Sequence, residues 1–81
     1  MGNLTNETTR SQLAAIRKYL QQHRRIDKAT ALRICGCERL AARIWQLRAE
    51  GMNIITDYES KRNQFGHLVR FAVYRLRRAT K

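Results

Sequence analysis

Residues 36–58 read GCERLAARIWQLRAEGMNIITDY, and a change of apolar period within this stretch decides the fold. Before Gly51, apolar residues recur every three or four positions, which is the period of a helix with one buried face. Gly51 is typical of the residue just past a helix end. After it, Asn53 to Tyr58 is rich in β-branched and aromatic residues, which favour a strand. We therefore predict a helix from Glu38 to Glu50, followed by a strand.

A second strand is predicted from His67 to Leu76, with Val69, Phe71 and Val73 on one side. Residues 59–64, between the two strands, are wholly polar and are expected to form the long tip of a β-hairpin. A two-stranded hairpin is marginal by itself and must lie against other elements. We therefore expect the tip to lie beside the helix that precedes the hairpin.

Two further helices are predicted upstream. Thr9 to Gln12 matches a capping box, so the first helix is expected from Arg10 to about His23. Asp27 is a suitable N-cap for a short second helix that Gly36 ends. Residues 24–26, between these helices, can form only a connector or a very short strand.

A chain of 81 residues forms one domain at most. We divide it into a flexible lead-in (1–8), a folded domain (9–76) and a basic C-terminal tail (77–81). The expected fold class is mainly α with a small β-hairpin: three helices plus a wing, which is the order of a winged helix-turn-helix domain.

The segment from Gly36 to Ile44, followed by Leu47-Arg48-x-x-Gly51-x-x-Ile54, resembles the winged helix-turn-helix domains of small phage and prophage proteins. The resemblance covers about residues 9–76. It implies sequence-directed DNA binding, as a transcriptional regulator or as an accessory factor in recombination or replication. One departure is the Cys-Gly-Cys sequence at residues 35–37, which differs from the commonest Gly-apolar-Ser form of the turn.

Charge is the most unusual property of the composition. Seventeen Lys and Arg face six Asp and Glu, which gives a net charge of +11, and thirteen of the seventeen are arginines. Such a surface attracts polyanions, and the planar guanidinium suits phosphates and guanine edges. Double-stranded DNA is therefore the expected partner. A membrane is not expected, because the apolar face of the first helix is needed for the core.

The third helix is expected to carry side chains that read DNA. Its buried stripe is Leu40, Ile44, Leu47 and Cys37. At about 100° per residue the opposite side collects Arg39, Ala42, Gln46 and Glu50, with Arg43 at its edge. We call Arg39, Ala42, Arg43 and Gln46 the reading row. Arginine binds guanine, glutamine binds adenine, and an alanine methyl packs against the thymine methyl. The alternative is an ordinary solvated face whose arginines support the helix or pair with acids.

Flanking contacts are expected from the hairpin tip and from the second helix. Lys61, Arg62 and Asn63 are expected to reach an adjacent minor groove or the DNA backbone. Lys28 and Thr30 lie in the first turn of the second helix, whose N-terminus can receive a phosphate. The alternative for Lys61, Arg62 and Asn63 is that the hairpin tip is polar only because it is a solvated loop.

No enzyme activity, cofactor or metal site is predicted. The six acids are scattered, and His23, His67, Cys35 and Cys37 lack zinc-ligand spacing. The two cysteines are read as small apolar residues of the turn, in a reducing compartment. We expect the cytoplasm of a bacterial or phage-infected cell, with nucleoid association.

The aromatic residues are expected to pack inside the domain. Trp45 is predicted to pack against the first helix or a strand, although a partly exposed Trp45 could mark a partner surface. The other aromatic residues are read as core and hairpin packing: Tyr19, Tyr58, Phe65, Phe71 and Tyr74.

Two rival functions remain open from the sequence. An architectural factor resembling phage excisionases would bend DNA and bind cooperatively in head-to-tail arrays, whereas a repressor usually binds a palindrome as a dimer. A protein-binding host-takeover or anti-defence module would instead use an exposed apolar patch. A weak or cooperative homo-oligomer on DNA is compatible with the architectural factor and with the repressor.

Overall fold

The computed structural model describes the backbone of residues 2–77 and the side chains of residues 8–77. Three helices and a three-stranded antiparallel sheet make up this part of the chain, which confirms the expected fold class. The elements in chain order are α1 (Gly2–His23), β1 (Arg25–Asp27), α2 (Lys28–Cys35), α3 (Leu40–Ala49), β2 (Ile54–Arg62) and β3 (Leu68–Leu76).

The core lies where the three helices meet the base of the sheet. Its buried residues come from every helix, from two strands and from the α2–α3 turn: Ile16, Leu20, Ile26, Ala31, Cys37, Leu40, Ile44, Leu47 and Ile54. The predicted stripe of α3 is therefore confirmed. Cys37 is fully buried in this cluster, in line with its reading as a small apolar residue of the turn.

The first helix begins at Gly2, so the predicted start at Arg10 is wrong. Thr9 lies inside α1 and cannot be its N-cap. Residues 3–9 contain neither proline nor glycine, so nothing local stops the helix from extending through them. The division into lead-in, domain and tail stays a prediction, and residues 78–81 of the tail lie outside the described residues.

The second helix has the predicted ends. The carboxylate of Asp27 accepts a hydrogen bond of 2.9 Å from the Thr30 N–H, which is an N-cap contact. Gly36 ends the helix with φ 65°, in the left-handed region that glycine adopts readily. Just before α2, Arg25–Asp27 pairs antiparallel with β3, so the expected connector is a very short strand.

The third helix is shorter than the predicted span of Glu38 to Glu50. It begins at Leu40, and Arg39 is its N-cap with φ −122° and ψ 57°, outside helical values. Cys37 is buried in the core ahead of the helix, and Glu38 and Arg39 connect it to Leu40 outside helical structure. Gly51, just past the helix, has the expected positive φ, at 106°.

The hairpin has a longer first strand and a shorter tip than predicted, while β3 (Leu68–Leu76) nearly matches the expected span of His67 to Leu76. β2 and β3 pair from Ile54 opposite Leu76 to Arg62 opposite Leu68, so most of the predicted loop 59–64 belongs to β2. Its polar side chains fit a strand because a hairpin that leaves the core is solvated. The turn at residues 63–67 is closed by Asn63, whose Oδ1 accepts hydrogen bonds from the N–H groups of Phe65 (2.9 Å) and His67 (3.0 Å).

The sheet order is β1-β3-β2, and β1 covers only the base of β3. Pairing with β1 involves Val73 to Arg75, so within the described chain the rest of that edge of β3 has no strand beside it. An apolar groove lies here, between the edge of β3 and the first turns of α2 and α3. We call it the wing groove.

Candidate nucleic-acid interface

The reading row lies on the surface, around one shallow concavity on α3. Arg39, Ala42, Arg43 and Gln46 all line this concavity, together with Trp45. Arg39 is exposed, and the other three are half-buried, so the chain does not cover the row. Arg39 precedes the helix and therefore departs from the predicted helical spacing, yet it still borders the same concavity.

Arg43 is held in place by two glutamines. Its Nε donates to Gln12 Oε1 of α1 at 3.2 Å, and its Nη1 donates to Gln46 Oε1 at 2.8 Å. A guanidinium carries five N–H groups, so donors remain after these two bonds. Gln46 Oε1 keeps a second lone pair and the Gln46 amide keeps its two N–H donors, so the pair offers several donors for O6 and N7 of guanine and one acceptor.

Arg39 lies at the junction of three surface concavities. Besides the one on α3, it lines a cleft against Thr9 and Gln12 of α1, and it lines the wing groove with Lys28 and Lys61. The reading row is therefore continuous with cationic side chains of α2 and of the hairpin. A polyanion lying on α3 could be contacted by both flanks.

The predicted flanking residues fall into two groups. Lys28 and Lys61 face the same groove, and the Lys61 ammonium lies 5.7 Å from the centre of the Phe71 ring. Arg62 and Asn63 are at the hairpin end as predicted, but both take part in its turn, with Arg62 Nη1 donating to the Gly66 carbonyl at 2.7 Å. Thr30 belongs to neither group, because its backbone N–H donates a hydrogen bond to the Asp27 carboxylate that caps α2.

Asp27 adds a negative charge at the start of α2. Burial alone would raise the pKa of Asp27, but the hydrogen bonds from Thr30 and the charges of Arg25 and Lys61 outweigh it and hold that pKa below its ordinary value. The ionised carboxylate occupies the helix N-terminus that was expected to receive a phosphate. The end of α2 therefore already carries a negative charge, and Lys28 is exposed beside it.

Most ion pairs lie away from the reading row. Arg25 and Arg75 pair with Glu59, and Arg75 also reaches Asp57, all on one face of the sheet. Glu50 pairs with Arg17 of α1. Glu38 borders the row but forms no ion pair within the described part of the chain. Among residues 8–77 no acid pairs with an arginine of the reading row. The other part of the predicted alternative, that these arginines support the helix, fits Arg43, which bonds to Gln12 of α1 and to Gln46.

The packing predicted for Phe65 is wrong, and Trp45 follows the alternative prediction of an exposed side chain, which affects the site. Trp45 is 69% exposed, so it is not packed inside the domain as predicted. At about 100° per residue it lies about 130° from the centre of the buried stripe, so helical geometry could have found it. Tyr58 and Phe65 are also exposed, and the guanidinium of Arg70 stacks 4.6 Å from the Tyr58 ring centre.

The cysteines and acids offer little chemistry in the described chain. Burial, followed by the neighbouring Cys37, raises the pKa of the Cys35 thiol, which disfavours the reactive thiolate. Among residues 2–77, no cluster of three or more His, Cys, Asp or Glu could hold a metal ion. Over the same residues, no helix combines the length and apolar character that crossing a membrane requires.

The fold and this surface define a class of protein. The family model of the winged helix-turn-helix domain matches residues 11–79, and the chain belongs to that family. Such domains are generally DNA-binding modules without enzyme activity, and the family points to sequence-specific DNA binding. No curated protein and no solved structure matches the chain significantly.

Proposed function

We propose that this protein binds double-stranded DNA in a sequence-directed manner, with α3 in the major groove and the reading row at the base edges. The observation that carries the proposal is the row itself, because Arg39, Ala42, Arg43 and Gln46 border one uncovered concavity. The adjoining Lys28 and Lys61 supply charge for the flanking phosphates. The net charge of +11 adds a non-specific attraction to the duplex.

The finer role we propose is that of a phage-type transcriptional regulator, or of an accessory factor in recombination or replication. In either role the protein acts in the cytoplasm of a bacterial or phage-infected cell, at the nucleoid. The resemblance of Gly36 to Ile44 to small phage proteins supports this role.

Selection of bound sequences from a random duplex pool tests the proposal. We expect an enriched motif of a few base pairs, because the row offers only three side chains able to hydrogen-bond bases. With about five phosphates contacted, log affinity should fall against log salt with a slope of roughly −4 to −5. A slope near zero, or a pool that does not enrich, contradicts the proposal.

The symmetry of the selected sites distinguishes the two roles. Direct repeats would indicate head-to-tail binding, as expected of an architectural factor, whereas a palindrome would indicate a symmetric dimer of a repressor. DNase footprints over natural sites also distinguish direct repeats from palindromes, and they give the spacing between the bound sites.

A second candidate function is supported by the wing groove. This groove, of about 640 Å³, is walled by apolar side chains that include Leu32, Val69 and Phe71, and Leu32 is 50% exposed. A protein-binding module would bury such side chains in a partner. The substitution Leu32→Gln separates the candidates, since it adds no charge beside Lys28 and Lys61 and should leave DNA binding within about twofold while abolishing a function that depends on a protein partner.

A further inference from the structure

Trp45, the only tryptophan in the chain, is the largest apolar side chain on α3, and it is exposed. Its relative exposure is 69%, while the helix buries Leu40, Ile44 and Leu47 on the other side. The residues one turn before and after it, Ala41 and Ala49, are exposed and too small to shield it. An indole in water forgoes a large burial energy, so its place on the surface is informative.

Trp45 is also part of the concavity that holds the reading row. Along α3 it lies about 60° from Ala42 and about 100° from Gln46. Arg43 starts about 160° away, but its Nη1 bonds Gln46 Oε1 at 2.8 Å, so a ligand that fills the whole concavity contacts these polar atoms and the Trp45 ring together. That ligand must offer an apolar group beside its hydrogen-bonding groups.

In the major groove, the base edge that offers an exposed apolar group is that of thymine, with its C5-methyl. We propose that Trp45, with Ala42 beside it, forms an apolar pocket that selects thymine through this methyl, next to the base pair read by Arg43. This inference rests on the proposed function and assigns a specificity to one part of it. The same ring could pack on a deoxyribose instead, but that contact would not depend on the base.

A cycle that removes the methyl from the DNA and the indole from the protein tests the pocket. The duplex is the selected site, with each thymine replaced in turn by uracil, which differs only in lacking the methyl. At the contacted position, wild-type affinity should fall about fourfold, the loss expected for one buried methyl. The Trp45→Ala variant should bind more weakly overall and be indifferent to the same uracil.

Leu32→Ala is the matched control, because Leu32 is an exposed apolar residue of the neighbouring helix and lies outside the concavity. It should retain the wild-type response to uracil. Trp45 and Leu32 are both exposed, so neither variant should unfold the domain, and circular dichroism checks this. Trp45→Leu should keep part of the response, since it retains an apolar side chain.

The outcomes distinguish a failure of DNA binding from a failure of the methyl pocket alone. If no duplex is bound by the wild type, the proposed function itself fails. If the wild type binds but uracil has the same effect on wild type and Trp45→Ala, or no effect on either, the methyl pocket is wrong while DNA binding stands. A selected site without thymine, or an equal loss by Trp45→Ala on every duplex, also overturns it.

Discussion

Among single residues, Arg43 matters most for the proposed contact with DNA bases. Two hydrogen bonds, to Gln12 and Gln46, fix its guanidinium at the edge of α3 before any ligand arrives. An arginine held in this way loses less side-chain entropy on binding than a free one. It is also half-buried, so it contributes to the contact between α1 and α3.

We expect Arg43→Ala to weaken binding to the preferred site by about 1–3 kcal/mol and to change binding to random DNA little. The physical reason is the loss of a bidentate contact to one base. Arg33→Ala, which removes an exposed arginine of α2, controls for the charge and should lower both affinities alike. Equal losses on both DNAs for Arg43→Ala would mean that Arg43 contacts only the backbone. Urea unfolding of both variants corrects for any loss of stability.

At this scale the sequence predicted the buried stripe and the surface position of the reading row, because a period of 3.6 residues alone determines which side faces out. It did not predict that the Arg39 backbone lies outside the helix, at its N-cap. The bond from Arg43 to Gln12 joins residues of two helices, and no local pattern shows it. The exposure of Trp45 could have been predicted from its angle.

At the scale of elements, α2 and the hairpin position the cations that flank the row. The Asp27 cap fixes the start of α2, and hence Lys28. The pairing of β2 with β3 carries Lys61 to the groove, where it stacks on Phe71. The caps of α2 were predictable because they are local. The length of β2 was not, because its polar residues are strand-forming only through pairing with β3 and through the ion pairs of Glu59.

Asp27→Ala should lower the free energy of unfolding by about 1 kcal/mol, the usual cost of losing an N-cap. The folded-state pKa of Asp27 is lowered, so as pH falls the unfolded chain, with an ordinary Asp pKa near 3.9, binds the proton first. The stabilisation is therefore present above about pH 5 and is lost as pH falls through the folded-state pKa. Urea unfolding at pH 7 and at pH 3 should show a smaller difference between variant and wild type at the lower pH.

The matched control is Glu38→Gln, which removes an exposed acid next to α3 without touching a cap. It should change the free energy of unfolding by less than about 0.5 kcal/mol. A cost for Asp27→Ala that is the same at both pH values would contradict the role of the ionised cap.

Lys61→Ala should weaken binding to all duplexes and reduce the magnitude of the salt slope by about 0.9, the value for one phosphate contact. The reason is its place beside Arg39 and Lys28 in the wing groove. Lys18→Ala, an exposed lysine of α1, is the control and should leave the slope unchanged. If both variants give the wild-type slope, the hairpin does not contact the backbone.

At the scale of the whole molecule, size and charge limit how DNA can be bound. The molecule measures 42 × 41 × 18 Å, so one copy spans roughly one turn of B-DNA, about 34–36 Å. A longer site requires a second copy, and two chains of net charge +11 repel each other unless the DNA lies between them. We therefore expect a monomer in solution, by light scattering at physiological salt, and cooperative assembly only on DNA with two adjacent sites.

Mapping of backbone amide chemical shifts during titration with the selected duplex tests the central claim most directly. The account predicts the largest shifts from Arg39 to Gln46, with smaller ones at Lys28 and Lys61, and little change on the sheet face of Arg25, Asp57 and Arg75. Shifts concentrated on that sheet face, with Arg39 to Gln46 unaffected, would contradict it.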